Sequence, residues 1–188
     1  MANFTEKALL ETLIELLEEY PLDKITVKEI TDRCGVSRNT FYYHFHDVYE
    51  LAARYFVLET ERLIKIYQAD ENWEGGFLEG LNFLYNNKRM IEHVYKSVSR
   101  AELDAFLNEV VYRHAMIVIR EKVRGKSYSD KTLALATDFY KNALIGAVLE
   151  WIEGNMKEKP ENLATLYNSV FEGTIDSVFN SIERVTAK

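Results

Sequence analysis

The sequence of 188 residues has one cysteine, two prolines and no long apolar run. A single cysteine, Cys34, cannot form an internal disulfide and is typical of a small apolar residue in a reducing compartment. Few prolines leave room for long helices, because proline breaks helix interiors. No apolar stretch reaches the roughly 18 residues of a membrane span, and the N-terminus lacks a basic or apolar signal segment. These absences favour a helical protein of the cytoplasm that has no membrane partner.

Catalytic and metal-binding motifs are also missing. The chain has no glycine-rich phosphate loop, no GxSxG motif and no pair of carboxylates whose placement the sequence fixes. The four histidines form no HExxH or paired-ligand pattern: His44, His46, His93 and His114. The sequence therefore predicts no enzyme, no metal and no cofactor.

Apolar residues recur at helical spacing through nearly the whole chain, and no strand alternation is evident. The first helix is expected at Phe4–Glu19 and a long fourth helix from Val48 to about Gln68. Ser129 caps a long helix that is expected to reach about Met156, and the last helix follows Pro160. The fold class predicted is all-α with about nine helices. We expect a three-helix domain at residues 1–47 and a larger helical domain at 48–188.

Two short helices joined by a tight turn are predicted between residues 26 and 45. Thr26 with Glu29 is a capping box, in which each side chain bonds the backbone N–H of the other residue. Gly35 permits the positive φ that ends a helix, and Ser37 caps the next one. That second helix, from Arg38 to about Phe45, turns many polar groups and rings outward, which suits insertion into the major groove of DNA.

This segment resembles the DNA-binding domain of the TetR family of bacterial transcriptional regulators, whose pattern is roughly TVxxIAxxAGVSxGTxYxHFxxKxxL. The matching residues are Thr26, Val27, Ile30, Gly35, Val36, Ser37, Thr40, Tyr42, His44, Phe45 and Leu51. The resemblance implies a homodimer that binds a near-palindromic operator in double-stranded DNA. Its half-sites would lie about one helical turn, roughly 34 Å, apart. Repression of transcription, relieved by an effector in the C-terminal domain, is the expected function.

The outward residues divide by chemistry. Arg38, Asn39 and Thr40 lie at the N-terminal end of the helix, from which side chains reach base edges. Tyr42, Tyr43 and His44 are expected to bind phosphates, as are Thr26 and Lys28 at the start of the preceding helix. The full set predicted to contact DNA is Thr26, Lys28, Ser37, Arg38, Asn39, Thr40, Tyr42, Tyr43 and His44. The alternative for each is an ordinary solvated helix face.

The charge and three substitutions depart from the family pattern. The net charge is -7, and residues 1–50 carry five basic against ten acidic side chains, although four basic and two acidic lie between Lys24 and Phe45. Asn39 stands where the pattern has a small residue, and His46 and Val48 stand where lysine is common. Both losses remove expected phosphate contacts and lower the predicted affinity.

The last two long helices are apolar around too much of their circumference for a helix with one buried face. We therefore expect them to form a two-fold, four-helix interface between protomers; a monomer with a large core is the alternative. The residues predicted for the interface are Leu144, Ala147, Val148, Trp151, Val170, Phe171 and Val178. The segment from Phe139 to Leu163 also resembles the C-terminal domain of a Firmicutes branch that includes regulators of dihydroxyacetone kinase operons.

Aromatic residues are frequent in the second domain, where they form either an effector pocket or simply the core. The residues considered for a pocket are Tyr55, Trp73, Phe77, Tyr95, Phe106, Tyr112 and Phe139. The effector is either a small molecule or a partner protein, and no residue decides between them. A helical adaptor that never binds DNA, or an activator controlled by a partner protein, remains the alternative function.

Overall fold

The computed structural model describes residues 2–70 and 73–186, so the outer ends of both predicted domains, residues 1 and 188, lie outside it. The described residues form nine α-helices, one short 3-10 helix and no strand, which confirms the all-α prediction. In chain order they are α1 (Ala2–Glu19), the 3-10 helix (Leu22–Lys24), α2 (Val27–Cys34), α3 (Arg38–His44), α4 (Val48–Asp70), α5 (Trp73–Asn86), α6 (Lys88–Ser97), α7 (Arg100–Lys122), α8 (Asp130–Glu153) and α9 (Pro160–Thr186).

The helices separate into two compact units. Unit 1 comprises Met1–Arg62 and Asn86–Leu103, and unit 2 comprises Leu63–Tyr85 and Asp104–Lys188. The sequence places a boundary at residue 47, whereas the contacts group the first part of α4 and the whole of α6 with α1–α3. That grouping depends on contacts between residues far apart in sequence, which helical periodicity does not report.

Unit 1 is organised around α1, whose apolar face is almost completely buried at Leu9, Leu13, Leu16 and Leu17. α2 and α3 add Ile30 and Phe41, which are fully buried. α6 is held to α1 by a hydrogen bond of 2.7 Å between His93 Nδ1 and the Leu17 carbonyl. The α3 helix therefore belongs to a packed unit that also contains α1, α2, α6 and the first part of α4.

Unit 2 contains an antiparallel pair, α8 and α9. The Thr132 hydroxyl donates to Glu183, and the Tyr140 hydroxyl lies 3.0 Å from that of Thr174, so residue numbers rise along one helix as they fall along the other. The pair shares a core with α7 whose buried members are Val118, Ile119, Val123, Leu133, Ala136, Tyr140, Phe171, Ile175 and Phe179. Burial of this apolar surface is the main stabilising term for the unit.

The turn between α8 and α9 begins earlier than predicted. α8 ends at Glu153, not at Met156, because Asn155 and Met156 take left-handed φ angles of 64° and 47°. A left-handed residue other than glycine costs about 1–2 kcal/mol. Burial of the Met156 side chain, 2% exposed, offsets this cost, and a hydrogen bond of 2.9 Å from Trp151 Nε1 to the Glu158 carbonyl closes the turn.

Candidate nucleic-acid interface

The helix-turn-helix forms as its local chemistry predicts. The Glu29 backbone N–H donates to the Thr26 hydroxyl at 3.2 Å, and the Thr26 N–H donates to Glu29 Oε2 at 2.9 Å, so the capping box is complete. Gly35 ends α2 with a φ of 73°, a conformation that glycine adopts without strain. Ser37 then caps α3 by accepting from the Thr40 N–H at 3.1 Å. These contacts fix the angle at which α3 leaves the turn.

α3 divides cleanly into a buried and an exposed face. Phe41 is fully buried and Phe45 at its end is 6% exposed, so both belong to the core of unit 1. Arg38, Asn39, Tyr42 and Tyr43 are exposed on the other side, whereas Thr40 and His44 are partly buried. Tyr43 is 81% exposed and Tyr42 is 57% exposed. The outward face thus carries one cation, one amide and two phenols.

Several hydroxyls of the predicted contact set already have protein partners. Thr26 Oγ1 donates to Glu29 Oε2 at 2.7 Å, and the hydroxyls of Ser37 and Thr40 lie 2.8 Å apart. These side chains act as helix caps, and the carboxylate of Glu29 repels a phosphate from the start of α2. The strongest of the predicted DNA contacts are therefore those on the exposed face of α3.

Ion pairs distinguish one basic residue of the helix-turn-helix from the other three. Lys24 pairs with Asp23 at 3.1 Å, Lys28 with Asp32 at 3.6 Å and Arg33 with Glu19 at 2.9 Å, the distance in each case joining nitrogen to carboxylate oxygen. Among the described side chains, Arg38 has no such carboxylate partner. Of the four basic residues between Lys24 and Phe45, Arg38 is therefore the one without a carboxylate partner among the described side chains.

The start of α4 is acidic and capped. The Glu50 N–H donates to Asp47 Oδ1 at 2.8 Å, and the His46 N–H donates to Glu50 Oε2 at 2.5 Å. Val48, where the family pattern has lysine, is 6% exposed and belongs to the core. Its neighbour Tyr49, 42% exposed, is a surface phenol that the sequence pattern gave no reason to single out.

The Glu29 cap should make unfolding pH-dependent. Hydrogen bonds from Thr26 hold the pKa of Glu29 below its ordinary value of 4.5. A lowered folded-state pKa contributes stability above the unfolded-state value, and this contribution is lost as the pH falls through the folded-state pKa. Between about pH 6 and about pH 3, the melting temperature should fall less in Glu29→Gln than in the unmodified protein. Circular dichroism would measure the melting temperature of both proteins at each pH.

Thr26→Ala provides the matched test of this cap. It removes the hydroxyl that lowers the pKa of Glu29, so its melting temperature should also depend less on pH than that of the unmodified protein. Equal loss of melting temperature on acidification in all three proteins would show that the cap carries no linked proton.

The residues considered for an effector pocket are divided between the two units. Tyr55 and Tyr95 belong to unit 1, and burial raises the pKa of Tyr55 to about 12. In unit 2, Trp73 stacks on Phe77 with ring centres 5.2 Å apart. Of the remaining three, Phe106 is partly buried and Tyr112 lies 5.6 Å below the Lys141 ammonium. Phe139 is 56% exposed, and its ring centre lies 5.2 Å from that of Tyr140. The position of Phe139 on α8 therefore faces away from the core of unit 2.

The residues predicted for a dimer interface also fall into separate groups. Trp151 and Phe171 are each 6% exposed and pack inside unit 2, so they are not available to a second protomer. Val170 is 50% exposed. The others are partly buried: Leu144, Ala147, Val148 and Val178. Other large apolar residues are exposed on α8 and α9 that the sequence did not select for the interface: Leu135, Phe139 and Leu166.

Two searches of the described residues were negative. No group of three or more histidine, cysteine, aspartate or glutamate side chains is arranged to hold a metal ion. None of the described helices combines the length and the apolar character that crossing a membrane requires.

Comparison with known structures shows the fold. The chain is similar to the dihydroxyacetone kinase operon activator DhaS, with a TM-score of 0.73 and 20% identity over 92% of this chain and 96% of that one. It is also similar to the fatty acid degradation regulator FadR from Bacillus halodurans, with a TM-score of 0.64 and 16% identity over 88% and 93%. For NalD, a secondary repressor of a Pseudomonas aeruginosa efflux pump, the TM-score is 0.55 and the identity 15% over 98% and 97%.

Comparison with family models identifies the two parts of the chain. Residues 9–55 match the model of bacterial regulatory proteins of the tetR family. Residues 71–173, more than half of the chain, match the model of a TetR transcriptional regulator C-terminal region. No protein of curated function matches the sequence. The chain therefore belongs to the TetR family: it is a DNA-binding transcriptional regulator and not an enzyme.

Proposed function

We propose that this regulator binds a near-palindromic operator as a homodimer, inserting one α3 helix per half-site into the major groove. The observation that carries the proposal is the exposed N-terminal end of α3, where Arg38 has no carboxylate partner among the side chains that the structure describes and Asn39 is exposed beside it. An arginine reads guanine and an asparagine reads adenine through paired hydrogen bonds. Because bacterial operators lie on cytoplasmic DNA, the cytoplasm is the proposed location.

The homodimer is supported by the exposed surface of α8 and α9. Leu135 and Phe139 on α8 are 43% and 56% exposed, and Leu166 and Val170 on α9 are 56% and 50% exposed. Large exposed apolar side chains thus recur at four-residue spacing on each of the two helices, and exposed apolar residues of this kind are typical of an interaction site. An isologous contact between two such helix pairs would cover exposed apolar side chains of both protomers.

Two glycines on the same helices support a close approach. Gly146 and Gly173 lie within α8 and α9, and a Cβ built on either would meet nothing within 4 Å. Glycine within a helix costs about 0.5–1 kcal/mol relative to alanine. Nothing inside the protomer explains that cost at either position, whereas a partner helix packed against the backbone does.

Effector control is proposed to act through α4. This helix is continuous from Val48 to Asp70, and its residues belong partly to unit 1 and partly to unit 2. A ligand that binds unit 2 better in one conformation shifts the population of that conformation, and a displaced α4 changes the presentation of α3. We propose repression as the outcome. Activation is the second candidate, favoured by the similarity to the operon activator DhaS.

Selection from random DNA duplexes tests the dimeric operator. The bound pool is expected to converge on an inverted repeat with half-site centres about one helical turn, ~10 base pairs, apart. Inserting about five base pairs between the half-sites rotates one by half a turn and should reduce affinity to that of a single half-site. Inserting about ten base pairs restores the orientation but doubles the separation of the half-sites, so it should also reduce affinity to that of a single half-site. The duplex without an insertion is the control, and an affinity that neither insertion changes would contradict simultaneous binding by two α3 helices.

A further inference from the structure

The indole N–H of Trp73 is an exceptional group within the described part of unit 2. Trp73 Nε1 is buried and has no hydrogen-bond partner, and no other buried side-chain nitrogen or oxygen of the described residues shares this condition. The second tryptophan offers a direct comparison, because Trp151 Nε1 donates to the Glu158 carbonyl at 2.9 Å. A buried donor without an acceptor is unfavourable, and native proteins rarely keep one without a reason.

Aromatic rings surround this donor. The Trp73 ring stacks on Phe77 at 5.2 Å with an angle of 8° between the ring planes, and its centre lies 5.6 Å from that of Phe171. Tyr167 meets the edge of Phe77 at 6.3 Å. Trp73, Phe77 and Tyr167 are only partly buried, whereas Phe171 is part of the core. The donor therefore lies among four aromatic rings, which together form an aromatic nest: Trp73, Phe77, Tyr167 and Phe171. Such rings make favourable contacts with a planar, apolar molecule.

The charges beside the nest favour one kind of hydrogen-bond acceptor for the Trp73 N–H. Glu74, the next residue after Trp73, accepts from Asn168 Nδ2 at 3.1 Å. On α9, Glu172 and Asp176 are neutralised by ion pairs with Lys122 and Lys126. The nest thus has a carboxylate beside it and no free cation among the residues named here. A neutral acceptor such as a carbonyl oxygen is favoured over a carboxylate or phosphate, which Glu74 would repel.

We propose that the Trp73 indole N–H is the hydrogen-bond donor of an effector site in unit 2 that takes neutral, planar, apolar molecules bearing a carbonyl oxygen. The proposal rests on the function above only in calling the ligand an effector. The stacked rings supply the apolar contact, and the N–H supplies the single directional contact. A molecule that lacks the carbonyl keeps the first interaction and loses the second.

Nuclear magnetic resonance of the two indole N–H groups tests the site in the intact chain. The ¹⁵N-labelled protein gives one indole signal per tryptophan, assigned with Trp73→Phe and Trp151→Phe. Titration with acetophenone should shift the Trp73 proton signal downfield in a saturable way and leave that of Trp151 unchanged. Toluene, which lacks the acceptor, and benzoate, which carries a negative charge, are the matched probes. Both are expected to bind at least about tenfold more weakly, equivalent to the loss of one hydrogen bond.

The outcomes separate the site from the general function. The site would be overturned if acetophenone leaves the Trp73 indole signal unmoved, or if toluene shifts that signal equally. It would also be overturned if the Trp73 N–H is already hydrogen-bonded to water in the free protein. Trp73→Phe should keep the helix content and lose at least about tenfold in acetophenone affinity; unchanged affinity would also overturn it. Binding of the selected duplex is measured in parallel, so loss of DNA binding counts against the operator proposal and leaves the probe titration valid as a test of the site.

Discussion

Arg38→Ala should weaken binding of the selected operator by roughly 30-fold to 20,000-fold. One well-placed arginine on a guanine contributes about 1–3 kcal/mol, and a dimer loses this contact twice, or about 2–6 kcal/mol. The large effect follows from the electrostatics of unit 1. Lys24, Lys28 and Arg33 are each paired with a carboxylate, so no neighbouring cation can replace Arg38. Fluorescence anisotropy with labelled duplex measures the change.

Arg33→Ala is the matched control. Both arginines are exposed and lie five residues apart, but Arg33 NH1 bonds Glu19 Oε1 at 2.9 Å, which raises the pKa of the guanidinium and lowers that of the carboxyl. The substitution should change operator affinity less than about threefold, because the side chain is already neutralised by Glu19. Similar losses in both variants would show that total charge, rather than Arg38, determines affinity.

A base substitution distinguishes readout from simple attraction. If Arg38 contacts a guanine, replacing that base pair should weaken DNA binding by the unmodified protein by about 1–3 kcal/mol per half-site. The same replacement should barely affect DNA binding by Arg38→Ala. If Arg38 contacts phosphate, the two changes add. Binding should also have a shallow salt dependence, since each phosphate contact contributes about one released counterion and the free cations are few.

Local rules predicted the helix-turn-helix well, because each is satisfied within four residues. Thr26, Glu29, Gly35 and Ser37 act through hydrogen bonds and a φ angle that the immediate sequence determines. The same rules missed the turn after α8. There the left-handed conformation at Met156 depends on burial of its side chain and on the Trp151 hydrogen bond, neither of which is local.

The available charge of the site was harder to predict from sequence. Counting residues between Lys24 and Phe45 gave an excess of cations, but Arg33 pairs with Glu19, fourteen residues earlier and on another helix. Lys24 likewise pairs with Asp23, just outside that window. Whether a charge is paired depends on its neighbours in space, so the sequence predicted an exposed polar face on α3 but not that Arg38 has no carboxylate partner among the described residues.

The interface posed a related difficulty. An apolar run such as that of α8 predicts two covered faces, but it does not indicate which face meets the protomer's own core. Trp151 and Phe171 lie on the inner face and Phe139 on the outer one. Leu149, apolar like them and 3% exposed, also belongs to the inner face, so Leu149→Glu is expected to unfold unit 2 rather than dissociate a dimer.

Combining Phe139→Glu with Val170→Glu should give a folded monomer that no longer binds the operator with high affinity. Both side chains are at least half exposed in the protomer, so each glutamate remains hydrated in the monomer and costs it little. In a two-fold interface the same changes bury four carboxylates, and a buried, unpaired charge costs several kcal/mol. Sedimentation and operator binding should change together, while circular dichroism stays unchanged.

Substitution of Gly146 and Gly173 provides a second test of the interface proposed for α8 and α9. In the monomeric background, Gly146→Ala and Gly173→Ala should each raise the free energy of unfolding by about 0.5–1 kcal/mol, because alanine favours helix and the added Cβ has open space. In the otherwise unmodified protein the same methyl groups should weaken the dimer, since they hold two backbones apart. An intact dimer in the double glutamate variant would place the interface elsewhere. Glycine variants that stabilise the monomer without weakening the dimer would show that the helices meet away from Gly146 and Gly173.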